Sequence, residues 1–324
     1  SNNLDNFKYD DINNLIFKNK KLSKYQVNNY ILYNKNRLIL SDQNGNLIIF
    51  SIKENKIVSK FNFYKNQYKK IKKVLNLIVE NNTIYVSDNL GFLYAFNYET
   101  NKILWAKNYK VPYRSNLKIF QQKLVAATEN NNLFFFDKTN GNILTFIPTE
   151  EKVIQNEFIN NLSSNNKFIF FINSYGSLYA INNKNMKISW FQNLKENIDT
   201  SASNLFTGSK IINYNNKLVI SSNNSTYILD SNNGSILYKV NFSSNIKPII
   251  VKNYLFIVTK NNLLISFDLN KGELIYSYNI NDKIAEFLNI NKKNVNLKSL
   301  FLMNSNIFIF LKNSYLLKFN INGN

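Results

Sequence analysis

One strand–turn–strand unit recurs along this chain, aromatic side chains make up 15% of it, and Gly or Asn occupies one fixed step of the recurring turn. Together these observations predict an all-β fold. The first clear copy is Arg37–Phe50, reading RLILSDQNGNLIIF, and Thr83–Phe96, reading TIYVSDNLGFLYAF, repeats it. Further copies begin at Lys123, Lys167, Lys217, Tyr254 and Asn306. Successive starts are roughly 37 to 52 residues apart, which brackets the period of a four-stranded propeller blade. The sequence therefore predicts one β-propeller domain over residues 1–324, with 1–14 as an extended N-terminal lead and seven repeats visible.

Each element of the repeat has a local reason. The 26 Phe and 20 Tyr, with many Ile and Val, suit pleated and half-buried strands. Gly is scarce at 8 residues and Pro at 3, so Asn carries much of the turn chemistry, because it tolerates left-handed backbone better than most residues. The inner turn needs positive φ at one step, and Gly45, Gly91, Gly176 and Asn131 stand there. A polar turn follows the second strand, as in Tyr98–Lys102, Lys138–Asn142 and Ser231–Ser235. A short outer strand comes next, ending in an aromatic: Trp105, Trp190, Tyr238 and Tyr276. The constant offset of that aromatic predicts packing between neighbouring blades, so both tryptophans read as core residues and not as ligand platforms.

The last copy stops at Leu316–Asn324, where its outer strand would begin. Leu15-Ile16-Phe17 has the missing pattern, so the N-terminal strand is expected to close the last blade and remove an open edge. The alternative is an eighth copy beyond Asn324. Two connections exceed the others, 195–214 and 282–297, and long connections in compact domains often carry function.

Forty basic and twenty acidic residues give a net charge of +20. Only two residues are Arg, Arg37 and Arg114, and Lys is the poorer group for bidentate recognition of phosphate or bases. The densest basic run, Tyr68–Lys73, falls in a connection. Nucleic acid is accordingly not an expected partner, and the charge reads as inflation of Lys alongside Asn and Ile. The chain has no Cys and no His, which excludes disulfides, Ser-His-Asp and Cys-His catalysis, and the common zinc sites. Glu150-Glu151 and Asp10-Asp11 are adjacent pairs whose side chains would diverge on an extended strand. No phosphate loop or calcium-loop spacing is present. The expectation is a protein without catalytic residues, cofactor or metal. No apolar run approaches the roughly 18 residues that span a bilayer.

The stretch Leu93–Trp105, with its Leu-Tyr-Ala-Phe strand, Thr-Asn-Lys turn and Ile-Leu-Trp outer strand, resembles the repeat of PQQ-like propellers, the quinoprotein alcohol dehydrogenase-like superfamily. The likeness runs from about Leu15 onward. Dehydrogenases of that superfamily hold their quinone with calcium ligands, a stacking Trp and often a vicinal disulfide. With no Cys and both Trp on outer strands, the resemblance does not extend to that site. Pro112-Tyr113-Arg114-Ser115, Tyr175–Ala180 followed by Ile188-Ser189-Trp190 and Leu194, and Lys247-Pro248-Ile249-Ile250 are similar to α-proteobacterial members of the BamB family. Two features depart from that family: it has eight blades, and the lipid-bearing N-terminal Cys is missing here.

The resemblance implies a monomeric scaffold in the periplasm, lipid-anchored to the outer membrane. Its partners would be the central barrel-assembly protein and unfolded barrel substrates, bound by loops or by β-augmentation. Candidate contact residues are Arg114, Leu205, Phe206 and Thr207, since exposed apolar groups and Arg anchor interfaces. The rival reading has Leu205 and Phe206 tucked inward. Three other functions stay open: an adaptor with another periplasmic or cell-surface partner, a cofactor-binding enzyme using a central channel, and a minor reading in which the +20 charge drives binding to nucleic acid or an anionic surface.

Overall fold

In the computed structural model, the described residues are 27–64, 67–150, 160–194, 206, 209–244, 246–289, 291, 294–312 and 315–321. They form seven antiparallel sheets, six of four strands and one of three, each a meander in chain order. The first sheet holds β1 (Val27–Asn34), β2 (Arg37–Asp42), β3 (Asn46–Ser51) and β4 (Lys56–Asn62). The second holds β5 (Leu75–Glu80), β6 (Thr83–Asp88), β7 (Phe92–Asn97) and β8 (Lys102–Asn108). The third holds β9 (Lys118–Phe120), β10 (Lys123–Ala127), β11 (Leu133–Asp137) and β12 (Ile143–Ile147). The fourth holds β13 (Asn161–Ser164), β14 (Phe168–Ile172), β15 (Ser177–Asn182) and β16 (Ile188–Asn193). The fifth holds β17 (Ile212–Tyr214), β18 (Lys217–Ser221), β19 (Thr226–Asp230) and β20 (Ile236–Val240). The sixth holds β21 (Ile249–Val251), β22 (Tyr254–Val258), β23 (Leu263–Asp268) and β24 (Glu273–Asn279). The last holds β25 (Leu297–Met303), β26 (Asn306–Leu311) and β27 (Leu316–Asn320). This all-β pattern of four-stranded meanders is that of a β-propeller. The expected closing strand, Leu15-Ile16-Phe17, lies outside the described residues.

The chain divides into two compact units. One takes in Lys18–Ser174 and Ile181–Lys187, the other Tyr175–Ala180 and Ile188–Asn324, and the fourth sheet contributes to both. Within the first unit, β2, β3, β6 and β7 enclose Ile39, Leu47, Ile49, Ile84, Val86 and Phe96 in one cluster, and Leu93, Ala95, Leu124 and Phe136 form the next. The second unit repeats this with Val219, Ile228, Leu255 and Phe267, then with Phe256, Leu264, Ile307 and Ile309. β3 and β14 are buried at every residue instead of alternating, so both faces of these inner strands are covered. Outer strands such as β4 and β16 alternate between exposed and half-buried.

The turns follow the sequence reading. Gly45, Gly91, Gly176 and Asn131 all have positive φ, between 67° and 87°. In the two Asp-bearing copies a carboxylate closes this turn from within: Asp42 accepts from the amides of Asn44 and Asn46, and Asp88 from those of Leu90 and Phe92. The second turn carries an Asx cap, with Asp137, Asp230 and Asp268 accepting from the amide two residues on.

The aromatics at this constant offset dock on the second turn of the following sheet. Trp105 donates its indole N–H to the Lys138 carbonyl at 3.1 Å, and Trp190 does the same to Ser231 at 3.2 Å. Tyr238 and Tyr276 use their hydroxyls, donating to the carbonyls of Asn270 and Ile321. A glycine lies directly under three of these rings. A Cβ on Gly141 would stand 2.6 Å from the Trp105 ring, one on Gly234 2.5 Å from Trp190, and one on Gly272 2.3 Å from Tyr238. Each also holds a φ near +75°, which side chains disfavour.

Trp105→Ala and Gly141→Ala are each expected to lower unfolding stability, by about 2–3 kcal/mol for lost packing and about 1–3 kcal/mol for backbone strain plus ring clash. Chemical denaturation of the double variant should show a loss smaller than the sum, because removing the ring makes room for the new methyl.

Candidate protein-binding surface

Within a sheet, the turn between its second and third strands and the connection leaving its fourth strand lie at the same end, because successive strands run antiparallel. Arg114 sits in such a connection, between β8 and β9. Its backbone is held from three sides. Its amide donates to the Ala127 carbonyl, its carbonyl accepts from the Asn160 amide at 2.7 Å, and the preceding Tyr113 amide donates to Asp88. Ser115 is fully buried and its hydroxyl accepts from the Ala127 amide. The segment read in the sequence as Pro-Tyr-Arg-Ser is therefore a rigid brace, with one bridge to Thr128 and another to Asn160.

From this brace the Arg114 guanidinium reaches the Glu129 carboxylate at 3.5 Å, each side chain about a quarter exposed (25% and 22%). Glu129 belongs to the β10–β11 turn, and its amide donates to the Pro112 carbonyl. Beneath the pair lies a buried amide and hydroxyl network. Asn131 donates to the Ser174 hydroxyl and to the Glu150 carbonyl and accepts from Asn160. Thr149 donates to the Asn131 carbonyl, and Asn173 donates to the Glu150 carboxylate. Such a network fixes the loops that carry Arg114 and Glu129.

A second buried polar group supports the neighbouring turn. Asp88 is fully buried and accepts the Tyr64 hydroxyl proton, and burial holds its carboxyl above the usual carboxylate range against the opposing effect of these hydrogen bonds. Burial is also the first cause raising the Tyr64 hydroxyl, with the Asp88 charge next. Lys73 is 3% exposed, donates to the Tyr68 carbonyl at 2.6 Å and lies 5.6 Å from the centre of the Tyr64 ring. The basic run Tyr68–Lys73 thus contributes one lysine to internal architecture.

The structure does not bring all the sequence candidates together. Phe206 is buried, 5% exposed, so its ring packs inside instead of standing free, as its apolar area favours. Leu205 and Thr207 lie outside the described residues, as does most of the 195–214 connection. The other long connection, read as a loop, begins with the helix α1 (Ile280–Leu288). Asn279 caps it by accepting from the amides of Asn281 and Asp282, and Ile280 and Ile284 pack on the core of the last two sheets. The signals were present: an Asn N-cap, then Ile280, Ile284 and Leu288 at helical spacing. Glu129 was missed because no local pattern pairs it with Arg114. Among the described residues, no group of three Asp or Glu is placed to hold a metal ion.

Seven meander sheets, four of which dock an outer-strand aromatic on the following sheet, define a propeller of PQQ-like repeats. Residues 56–278 match the family described as outer membrane protein assembly factor BamB, well over half of the chain, and the chain belongs to that family. The crystal structure of BamB from Moraxella catarrhalis superposes with a TM-score of 0.73 at 12% identity, covering 91% of this chain and 85% of that one. The C-terminal WD40 domain of Sif2 gives 0.63 at 10% identity, covering 89% and 79%, and the computationally designed Ika8 protein 0.55 at 9%, covering 91% and 96%. At these identities the likeness to solved structures is one of fold. No curated protein sequence matches the chain.

Because the Asp88 carboxyl is held above its unfolded value, its charge costs stability as pH rises from the unfolded pKa through the folded one, and that cost is absent below both. Asp88→Asn keeps an acceptor for the Leu90 and Phe92 amides without the charge. Its stability relative to the parent should therefore be more favourable at about pH 7.5 than at about pH 4, checked by denaturant melts at both.

Proposed function

We propose that this chain is a non-catalytic, monomeric protein-binding scaffold that assists assembly and insertion of β-barrel proteins into the bacterial outer membrane. It acts in the periplasm as a lipid-tethered component and docks on a periplasmic domain of the central barrel-assembly protein. The observation that carries this reading is the BamB family match over residues 56–278, borne by a repeat that folds into four-stranded meanders. The physical character of the Arg114 surface supports it. Two charged groups of opposite sign, partly exposed and braced from below, can exchange partners with an incoming chain without reordering the backbone. Arg114 is the proposed anchor on this side. Leu205 and Thr207 remain proposed contacts of the 195–214 connection, whereas Phe206 would hold that connection in place.

Calorimetric titration of the purified chain with the periplasmic domains of its host's barrel-assembly protein tests this directly. We expect saturable one-to-one binding, weakened about tenfold or more by Arg114→Ala. Phe206→Ala should lower thermal stability before it lowers affinity. Absence of binding by a folded chain would favour an adaptor with a different partner.

A further inference from the structure

In the second unit, three lysines gather at the end of the sheets that bears the inter-sheet connections. Lys210 stands two residues before β17, Lys247 two residues before β21, and Lys260 two residues after β22, in the β22–β23 turn. The loops that carry the last two are tied together. The Lys260 amide donates to the Ser243 carbonyl at 3.0 Å, while the Lys260 ammonium and the Ser243 hydroxyl both donate to the Asn223 carbonyl. Ser244 closes a tight turn on Ile246, and Pro248 follows Lys247. A residue before proline is confined to extended backbone, so Lys247 is presented from a stiff segment.

All three side chains still meet solvent, yet the surrounding protein withdraws enough water to lower each amine's pKa. For Lys247 the charge of Lys210 adds to that effect, and among the described residues no carboxylate acts on it. Of the carboxylates described in this unit, three lie at the opposite end of the sheets and two on helix α1. Asp230 and Asp268 cap turns at the opposite end of their sheets, where Glu273 also lies. Glu286, on α1, pairs with Lys283 at 3.0 Å, and Asp282 is on the same helix. A half-dehydrated cation pressed by a second cation is stabilised by an incoming anion.

Beside Lys247, a cleft of about 500 Å³ is lined by Ile246, Lys260, Asn261, Asn262, Asn294 and Asn296, among others. Its rim is fixed: Asn262 donates to the Val295 carbonyl at 2.9 Å and to the Asn281 side chain, which in turn donates to Asn294. Side-chain amides offer donors and acceptors in the pattern that a peptide backbone presents. We propose that this end of the unit receives an acidic peptide segment of a partner protein, its carboxylate on Lys247 in the field of Lys210 and Lys260, its backbone in the asparagine-lined cleft. The inference rests on the protein-binding reading for naming a polypeptide, but it commits to a different surface from that of Arg114.

The test is a titration of the full chain with acetyl-hexaglutamate amide at physiological salt, with acetyl-hexaglutamine amide as the uncharged probe. Hexaglutamate should bind and hexaglutamine should not. Lys247→Met, which keeps the aliphatic stem and so the packing, should weaken binding about tenfold, and Lys247→Arg should restore most of it. Lys102→Ala, on the exposed strand β8, removes the same charge elsewhere and should change binding less than about twofold. Equal losses for Lys247→Met and Lys102→Ala would mean that only the diffuse +20 charge attracts the peptide, and would overturn the site. So would no binding to the parent chain, or tighter binding of a thymidine oligonucleotide lost with the same lysine. These outcomes are read without the barrel-assembly protein, so they stand apart from failure of the docking experiment.

Discussion

The docking of an outer-strand aromatic onto the second turn of the next sheet is the contact on which the other features depend. It joins a large apolar ring, one directed hydrogen bond and a glycine that must be left-handed, and the three requirements meet in a single place. Trp105 over Gly141, Trp190 over Gly234 and Tyr238 over Gly272 repeat it with the same geometry. A side chain at the glycine is refused twice, by φ and by the ring above. Departures are equally informative. The first sheet has Ser59 near this place, and its hydroxyl donates to Asn101, so a small polar contact replaces the ring. Once adjacent sheets are fixed in this way, their inner strands are covered on both faces, and the turns at the far end are held where their loops can interlock.

Much of this was legible in the sequence, because the repeat sums weak local signals over seven copies. The positive-φ step of the inner turn, the offset of the aromatics and the starts of the inner strands could be read by aligning the chain against itself. The surface could not be read in the same way. The Arg114–Glu129 pair joins a connection to a turn of the next sheet, and the buried Asp88–Tyr64 contact joins residues 24 apart in sequence. Such pairings arise from how connections fold over sheet ends, and no periodicity records them. Phe206 shows how composition alone leaves two readings open: an aromatic in a long connection can stand free as an anchor or tuck inward, and here its ring is buried. Lys73 makes the same point for charge, since its stem and ammonium are satisfied inside.

The division of labour between the two ends of the sheets suits a scaffold. One end is closed by short Asx-capped turns in which Asp137, Asp230 and Asp268 spend their acceptors on their own backbone. At the other end of its own sheets, the first unit carries the Arg114–Glu129 pair, and the second unit carries the helix α1 and the lysines around Lys247. The loops there are pinned by buried amides and hydroxyls, so groups on them meet a partner with little further ordering to be done. Membership of the BamB family is the ground for the proposed setting, and the pinned loops would supply a physical means for the proposed recognition.

Hydrogen–deuterium exchange of the intact chain, with and without the periplasmic domains of the barrel-assembly protein, tests this account most directly. It predicts new protection confined to the connections and inner turns, centred on the backbone around Arg114 and Glu129, with the Asx-capped turns unchanged. Protection spread over the Asx-capped turns and outer strands, or no change despite saturating partner, would contradict it.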